Sequence, residues 1–187
     1  MTDAQTQSET TPFWRFSLQF YRLPGVSDAC VGLQDEYGVD VNLLLFLLWC
    51  ADEGRSLSAD DVKALDDKVR DWRNLSVIPI RNARRKLKHA RTLIDSGQQE
   101  AFRTRIKAVE LEAERLQQQA LYGLNQSALL GKEAEPRVAA HGNVCAYEHI
   151  MGATFPRETV DVLLGAFNSI PHGGRGSAPA GAERGSG

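Results

Sequence analysis

Residues 40–51 read DVNLLLFLLWCA, and the flanks of this run decide how the chain folds. The apolar stretch 43–51 is enclosed by Asp40 and Asn42 on one side and by Asp52 and Glu53 on the other. A bilayer span needs about 20 such residues. The run therefore predicts a buried helix, capped at its start by Asp40 and stopped at Gly54, and no membrane span. A helix that is apolar all round must be covered on every side.

Its neighbours carry the covering faces. Upstream, Pro12 suits a helix start, and Phe13, Phe16, Phe20 and Leu23 share one face, with Trp14, Leu18 and Tyr21 on an adjacent one. So aromatic a helix could lie in a membrane interface, but packing into a core accounts better for its wide apolar surface. Pro24-Gly25 ends it, and a second helix from Ser27 to Gly38 turns Ala29, Cys30, Leu33 and Tyr37 inward. Downstream, Ser58 and Asp61 have capping-box spacing, opening a helix over about 59–73 with Val62, Leu65, Val69 and Trp72 on one face.

Two longer segments follow. One starts near Ile78-Pro79 and carries Ile80, Ala83, Leu87, Ala90 and Ile94; the other, about 98–124, carries Phe102, Ile106, Val109, Ala113, Leu116 and Ala120. Spacings alternating three and four, across a short turn at Ser96-Gly97, predict an antiparallel helical hairpin. Its second arm, at 1.5 Å per residue, would be roughly 40 Å long and overhang the first. Nothing alternates with a period of two. The expected fold class is all-α: a helical bundle with a long antiparallel hairpin (about 78–124) and no sheet.

The expected organisation is a disordered 1–11, a helical domain over 12–124, a weakly patterned helical segment over 125–170, and a disordered glycine-rich tail over 171–187. Within the third part, 131–142 reads as a linker, and short helices are expected near 143–151 and 156–167. The N-terminal MTDAQTQSETT lacks the basic and apolar regions of a secretory signal, so the expected compartment is the cytoplasm. The whole chain has 187 residues, is 42% hydrophobic and carries a formal charge of −2, which argues against disorder and against a surface built wholly for nucleic acid. Cys30, Cys50 and Cys145 form no close pair, so neither a disulfide scaffold nor a zinc ribbon is indicated.

Candidate site residues are few. Arg81, Arg84, Lys88 and Arg91 form a basic stripe beside the apolar seam, able to clamp phosphates or carboxylates, or else to pair with acids such as Glu110 or Glu112. No helix-turn-helix or basic-aromatic platform accompanies the stripe, which argues against nucleic acid. Asn42, Phe46, Trp49 and Glu53 share one face of the apolar helix, so Asn42 either bonds a neighbouring helix or lines a pocket walled by Trp49. Arg73, at the edge of its helix's apolar face, could approach the stripe. Asp60-Asp61 and Asp66-Asp67 are too widely spaced for one ion, about 10 Å along the helix, and Lys63–Asp67 and Asp66–Arg70 have ion-pair spacing instead. His141, Cys145 and His149 are spaced four and four, with outer members about 12 Å apart on a straight helix, and Gly142-Asn143 is expected to interrupt it. No catalytic, cofactor or metal motif is present.

The stretch FWRFSL at 13–18, GVDVNLLLFLLW at 38–49, DWR at 71–73 and PIRNARR at 79–85, with ELEAERLQQQAL at 110–121, resembles a family of small uncharacterised helical proteins of proteobacteria, a domain of unknown function. The resemblance runs over roughly 13–124. It implies a soluble bacterial protein with an all-helical fold, and it brings no reaction, ligand or catalytic residue. The expected function is a non-enzymatic helical interaction or adaptor module, partnered by another protein or by a second copy through exposed heptad seams. The alternative is a small-anion binding protein or enzyme using Asn42, Trp49, Glu53, Arg73, Arg81, Arg84, Lys88 and Arg91.

Overall fold

The computed structural model describes residues 11–172, and they form a helical bundle. The expected disorder of 1–10 and 173–187 lies outside the described residues. The helices are α1 (Pro12–Tyr21), α2 (Val26–Tyr37), α3 (Val41–Asp52), α4 (Ala59–Trp72), α5 (Ile78–His89), α6 (Ser96–Ser127), α7 (Pro136–Met151) and α8 (Arg157–Ser169). The apolar run is the centre of the molecule: every residue from Asn42 to Ala51 is buried. Asp40 caps it, its side chain accepting from the N–H groups of Asn42 and Leu43. Thr11 caps α1, and Ser58 and Asp61 form the capping box of α4.

One departure from an all-helical chain is small. Arg55–Ser56 (β1) pairs antiparallel with Lys132–Glu133 (β2), two residues on each side. Gly131 permits the approach: its φ is +65°, and a Cβ there would lie 2.3 Å from the Ser56 carbonyl oxygen.

A second departure is at the expected break before Pro79. Instead of ending, α4 passes through a π-helical turn, Arg73–Val77, straight into α5. Proline has no N–H to give the carbonyl four residues back, and its ring crowds that carbonyl. The register slips one step just ahead of it, where the Ile78 N–H reaches the Arg73 carbonyl.

The hairpin forms as expected, but its seam is not the apolar interlock that the spacing predicts. α5 ends at His89, so Ala90 and Ile94 fall in the link and are exposed. Phe102 and Val109 are 48% and 55% exposed, and of the α6 seam residues only Ala113 is buried. Asp95 caps α6, and Gln99 Nε2 donates to the Leu87 and Ala90 carbonyls, closing the turn. With 32 residues α6 is longer than expected, about 48 Å by its helical rise. The buried residues of α6 lie from Glu110 onward, where it packs on the body, and its N-terminal half runs beside α5 as a projecting arm.

The weakly patterned segment is firmly built. Val144, Tyr147, Leu163 and Phe167, from α7 and α8, join the same core as Phe13, Phe46 and Leu65. α7 begins at Pro136 and runs unbroken through Gly142-Asn143. Asn143 does not interrupt it; the side chain is fully buried, donating to the Leu47 and Arg55 carbonyls and accepting from the Leu57 N–H at 2.7 Å. His172, placed by the sequence reading in the loose tail, pairs with Asp52 at 3.0 Å and stacks on Phe167.

Candidate functional site

The hairpin presents two unlike faces. Its inner face closes a cleft of about 580 Å³ against α1, α2 and the start of α3. The walls are mainly apolar, among them Trp14, Leu18, Val31, Leu45 and Leu111. Leu18, Val31 and Leu111 stay 36%, 39% and 51% exposed there. The floor is polar and buried: Ser17 from α1, Asn42 from α3 and Gln118 from α6. Gln118 Nε2 donates to Asn42 Oδ1 at 2.8 Å, while Gln118 Oε1 and Ser17 Oγ have no hydrogen-bond partner. Buried polar atoms normally find one.

Charge lines the hairpin side of the cleft. Arg81 donates to Glu110 at 3.0 Å and to Glu114 at 2.7 Å, and Arg84 grips Glu110 through both Nε and Nη2. Burial works against the Glu110 charge, yet the bonds from Arg84 and Arg81 outweigh it and hold that carboxyl below the usual range. Burial wins at Glu114, whose carboxyl is held above its ordinary value despite Arg81. Burial likewise raises the Tyr21 phenol. At the rim stand Arg22, Arg85 and Lys107, all exposed. Arg85 pairs with Asp35 at 2.7 Å, whereas Arg22 and Lys107 have no partner among the described residues.

The candidate residues divide accordingly. Asn42, Arg81 and Arg84 do converge on the cleft, with the two arginines paired to Glu110 and Glu114 rather than open. Trp49 is no wall of it: its ring packs in the core, 5.6 Å from each of Phe13, Phe46 and Tyr122 between centroids. Glu53 is the exposed C-cap residue of α3. Arg73 sits at the π turn and bonds Asp40 at 3.0 Å and Asp66 at 2.7 Å, away from the stripe. Lys88 and Arg91 are exposed near the tip of the arm and are not among the residues that line this cleft. Lys63–Asp67 and Asp66–Arg70 are ion pairs, as their spacing predicts. Cys145 Sγ lies 3.7 Å from His141 Nδ1, and among the described residues no three His, Cys, Asp or Glu gather as a metal site. The sequence reading missed Ser17 and Gln118. The run Gln117-Gln118-Gln119 beside an apolar seam was the available signal, since amides there must find partners or face a cavity.

The outer face of the arm is apolar and open. Ile80 and Ala83 of α5, with Phe102, Ile106 and Val109 of α6, line a shallow groove of about 440 Å³, and the Arg105 guanidinium lies across the Phe102 ring at 5.5 Å from its centroid.

Fold and site together define a predominantly helical protein with a projecting hairpin and a lined cleft, and no helix among the described residues is long and apolar enough to cross a membrane. The family described as a protein of unknown function (DUF2390) matches residues 12–121, and the chain belongs to that family. No curated protein and no solved structure matches it.

Proposed function

We propose that this chain is a non-enzymatic helical interaction module whose working surface is the outer face of the hairpin, and that the partner is a second copy. The carrying observation is the apolar groove on an arm that the rest of the body does not cover. Phe102, Val109 and Leu116 repeat every seven residues and are 48%, 55% and 38% exposed, the pattern of a coiled-coil seam awaiting a helix. No residue of α5 is buried, so α5 adds no side chain to the core. Two hairpins laid face to face would make a four-helix bundle.

Charge supports a second copy in antiparallel orientation. Residues 81–107 hold nine Lys or Arg against two acids, while α4 carries five Asp against three Lys or Arg and the stretch 108–116 three Glu against one Arg, with Glu110 and Glu114 already held by Arg81 and Arg84. An antiparallel pair lays the basic tip of each arm over the acidic base of the other. Parallel pairing would bring the two tips together. α5 has 12 residues, so the two-helix face is about 18 Å long and about 20 Å wide. Two such faces bury about 700 Å², the size of a weak, reversible interface. Three unpaired cysteines support the cytoplasm as the compartment.

The test is Phe102→Glu with Val109→Glu, both exposed and outside the core. The pair should convert a dimer to a monomer by light scattering while helicity by circular dichroism is kept. A dimer that survives both charges contradicts the proposal.

A further inference from the structure

The inner cleft supports a separate inference, independent of whether the outer face pairs. We infer that the cleft between the hairpin and α1–α3 is a binding site for a small amphipathic carboxylate that also carries a hydroxyl or amide N–H.

Each part of that description answers a feature of the cleft. A volume of about 580 Å³ falls within the range of small-molecule sites, roughly 300–1,000 Å³. Apolar walls from Trp14, Leu18, Val31 and Leu111 take an alkyl or aryl body, and their exposure is surface that a ligand would remove from water. The acid is placed at the rim. The cleft is lined by five cationic side chains and only two acids, Glu110 and Glu114, which Arg81 and Arg84 already hold. Arg22 and Lys107 are left to receive an anion at the solvent edge, where it keeps part of its hydration. The donor is placed at the floor. Gln118 has spent its amide on Asn42, leaving Oε1 as a bare acceptor 3% exposed, and Ser17 Oγ, on a residue equally buried, has no partner either. A ligand O–H reaching the floor can donate to Gln118 Oε1 and accept from Ser17 Oγ, while an N–H completes Gln118 alone. A ligand lacking that donor leaves the Gln118 acceptor unpaired, the arrangement that gives polar sites their selectivity.

The experiment uses the full chain and three probes of one length: 10-hydroxydecanoate, decanoate and 1-decanol. Binding is read by calorimetry and by intrinsic fluorescence, in which Trp14 is the one of three tryptophans that lines the cleft. The expected order is 10-hydroxydecanoate first, decanoate weaker, and 1-decanol weakest. Arg22→Glu with Lys107→Glu, both on the surface, should weaken the two acids about tenfold and leave 1-decanol unchanged. Gln118→Leu should abolish the preference for the hydroxylated acid while decanoate still binds. If that variant does not fold, Ser17→Ala, which removes the second floor group and keeps Gln118, should narrow the preference without abolishing it, and an unchanged preference counts against the floor contact. Failure of all three probes to bind below millimolar concentration overturns the inference and leaves the floor to ordered water. Equal affinity for 1-decanol and the acids overturns it too, as does indifference to the loss of Arg22 and Lys107. None of these outcomes depends on the oligomeric state.

Discussion

The Arg73 guanidinium lies 3.0 Å from Asp40 Oδ2, joining the turn that starts the hairpin to the residue that caps the central helix. Asp40 is 6% exposed and works in two directions. One oxygen holds the first N–H groups of α3; the other takes Arg73 and Gln117, so α3, the π turn and α6 meet at one carboxylate. Its own N–H donates to the Tyr147 hydroxyl at 2.9 Å, which brings in α7. The π turn is what presents Arg73 here, and it arises from Pro79 six residues on. A local defect in helix register thus fixes where the arm leaves the body.

Removing one member of a buried pair strands the charge of the other. Arg73→Ala should therefore cost about 3 kcal/mol in urea unfolding. Arg85→Ala, which breaks an exposed pair with Asp35, should change stability by less than about 1 kcal/mol.

Asn143 binds three backbone groups in the core. Asn143→Ala should destabilise by about 2 kcal/mol, through the unpaired Leu57 N–H above all. Substituting its exposed neighbour Cys145 by alanine should stay within about 0.5 kcal/mol.

Glu110 and Glu114 should respond to pH with opposite signs. The Glu110 pKa is lowered on folding, so its contribution is present above the ordinary glutamate value and is lost as pH falls through the folded one. The Glu114 pKa is raised, so its contribution is present below the ordinary value and is lost as pH rises through the folded one. Glu110→Gln should lower the melting temperature at neutral pH and flatten its fall in acid. Glu114→Gln should be neutral or stabilising at neutral pH. Thermal melts of both variants across the acid range check the signs.

Thiol labelling should separate the three cysteines. Burial pushes the Cys30 thiol up to about 12 and raises that of Cys50 further, while Cys145 is exposed and raised by burial and Glu148. Native protein should release one equivalent of a disulfide reagent's chromophore slowly, and three in denaturant.

The helices were legible wherever a local signal had one meaning. Asp40 as a cap, the Ser58–Asp61 box and the apolar run each declare a terminus or a core through chemistry within four residues. The π turn was not legible, because a proline after a polar break suits a first turn as well as a slipped register, and only packing selects between them. The seam misled for a related reason: spacing places Phe102 and Val109 on one face but does not say which helix, if any, covers it. Helix α7 was hidden by Gly142-Asn143, a pair that usually breaks helices, whose asparagine is needed by backbone 86 and 96 residues earlier. In the candidate site, Arg81 and Arg84 were found from their stripe and Asn42 from its buried face. Ser17 and Gln118 escaped because an unpartnered atom is a property of three-dimensional surroundings.

The proposed pairing of hairpins is tested most directly by the mass of the full chain in solution. Sedimentation equilibrium from low to high micromolar concentration should fit a reversible dimer of twice 20.6 kDa, and the Phe102→Glu, Val109→Glu chain a monomer. A wild-type chain that sediments as a 20.6 kDa monomer throughout that range would contradict the account.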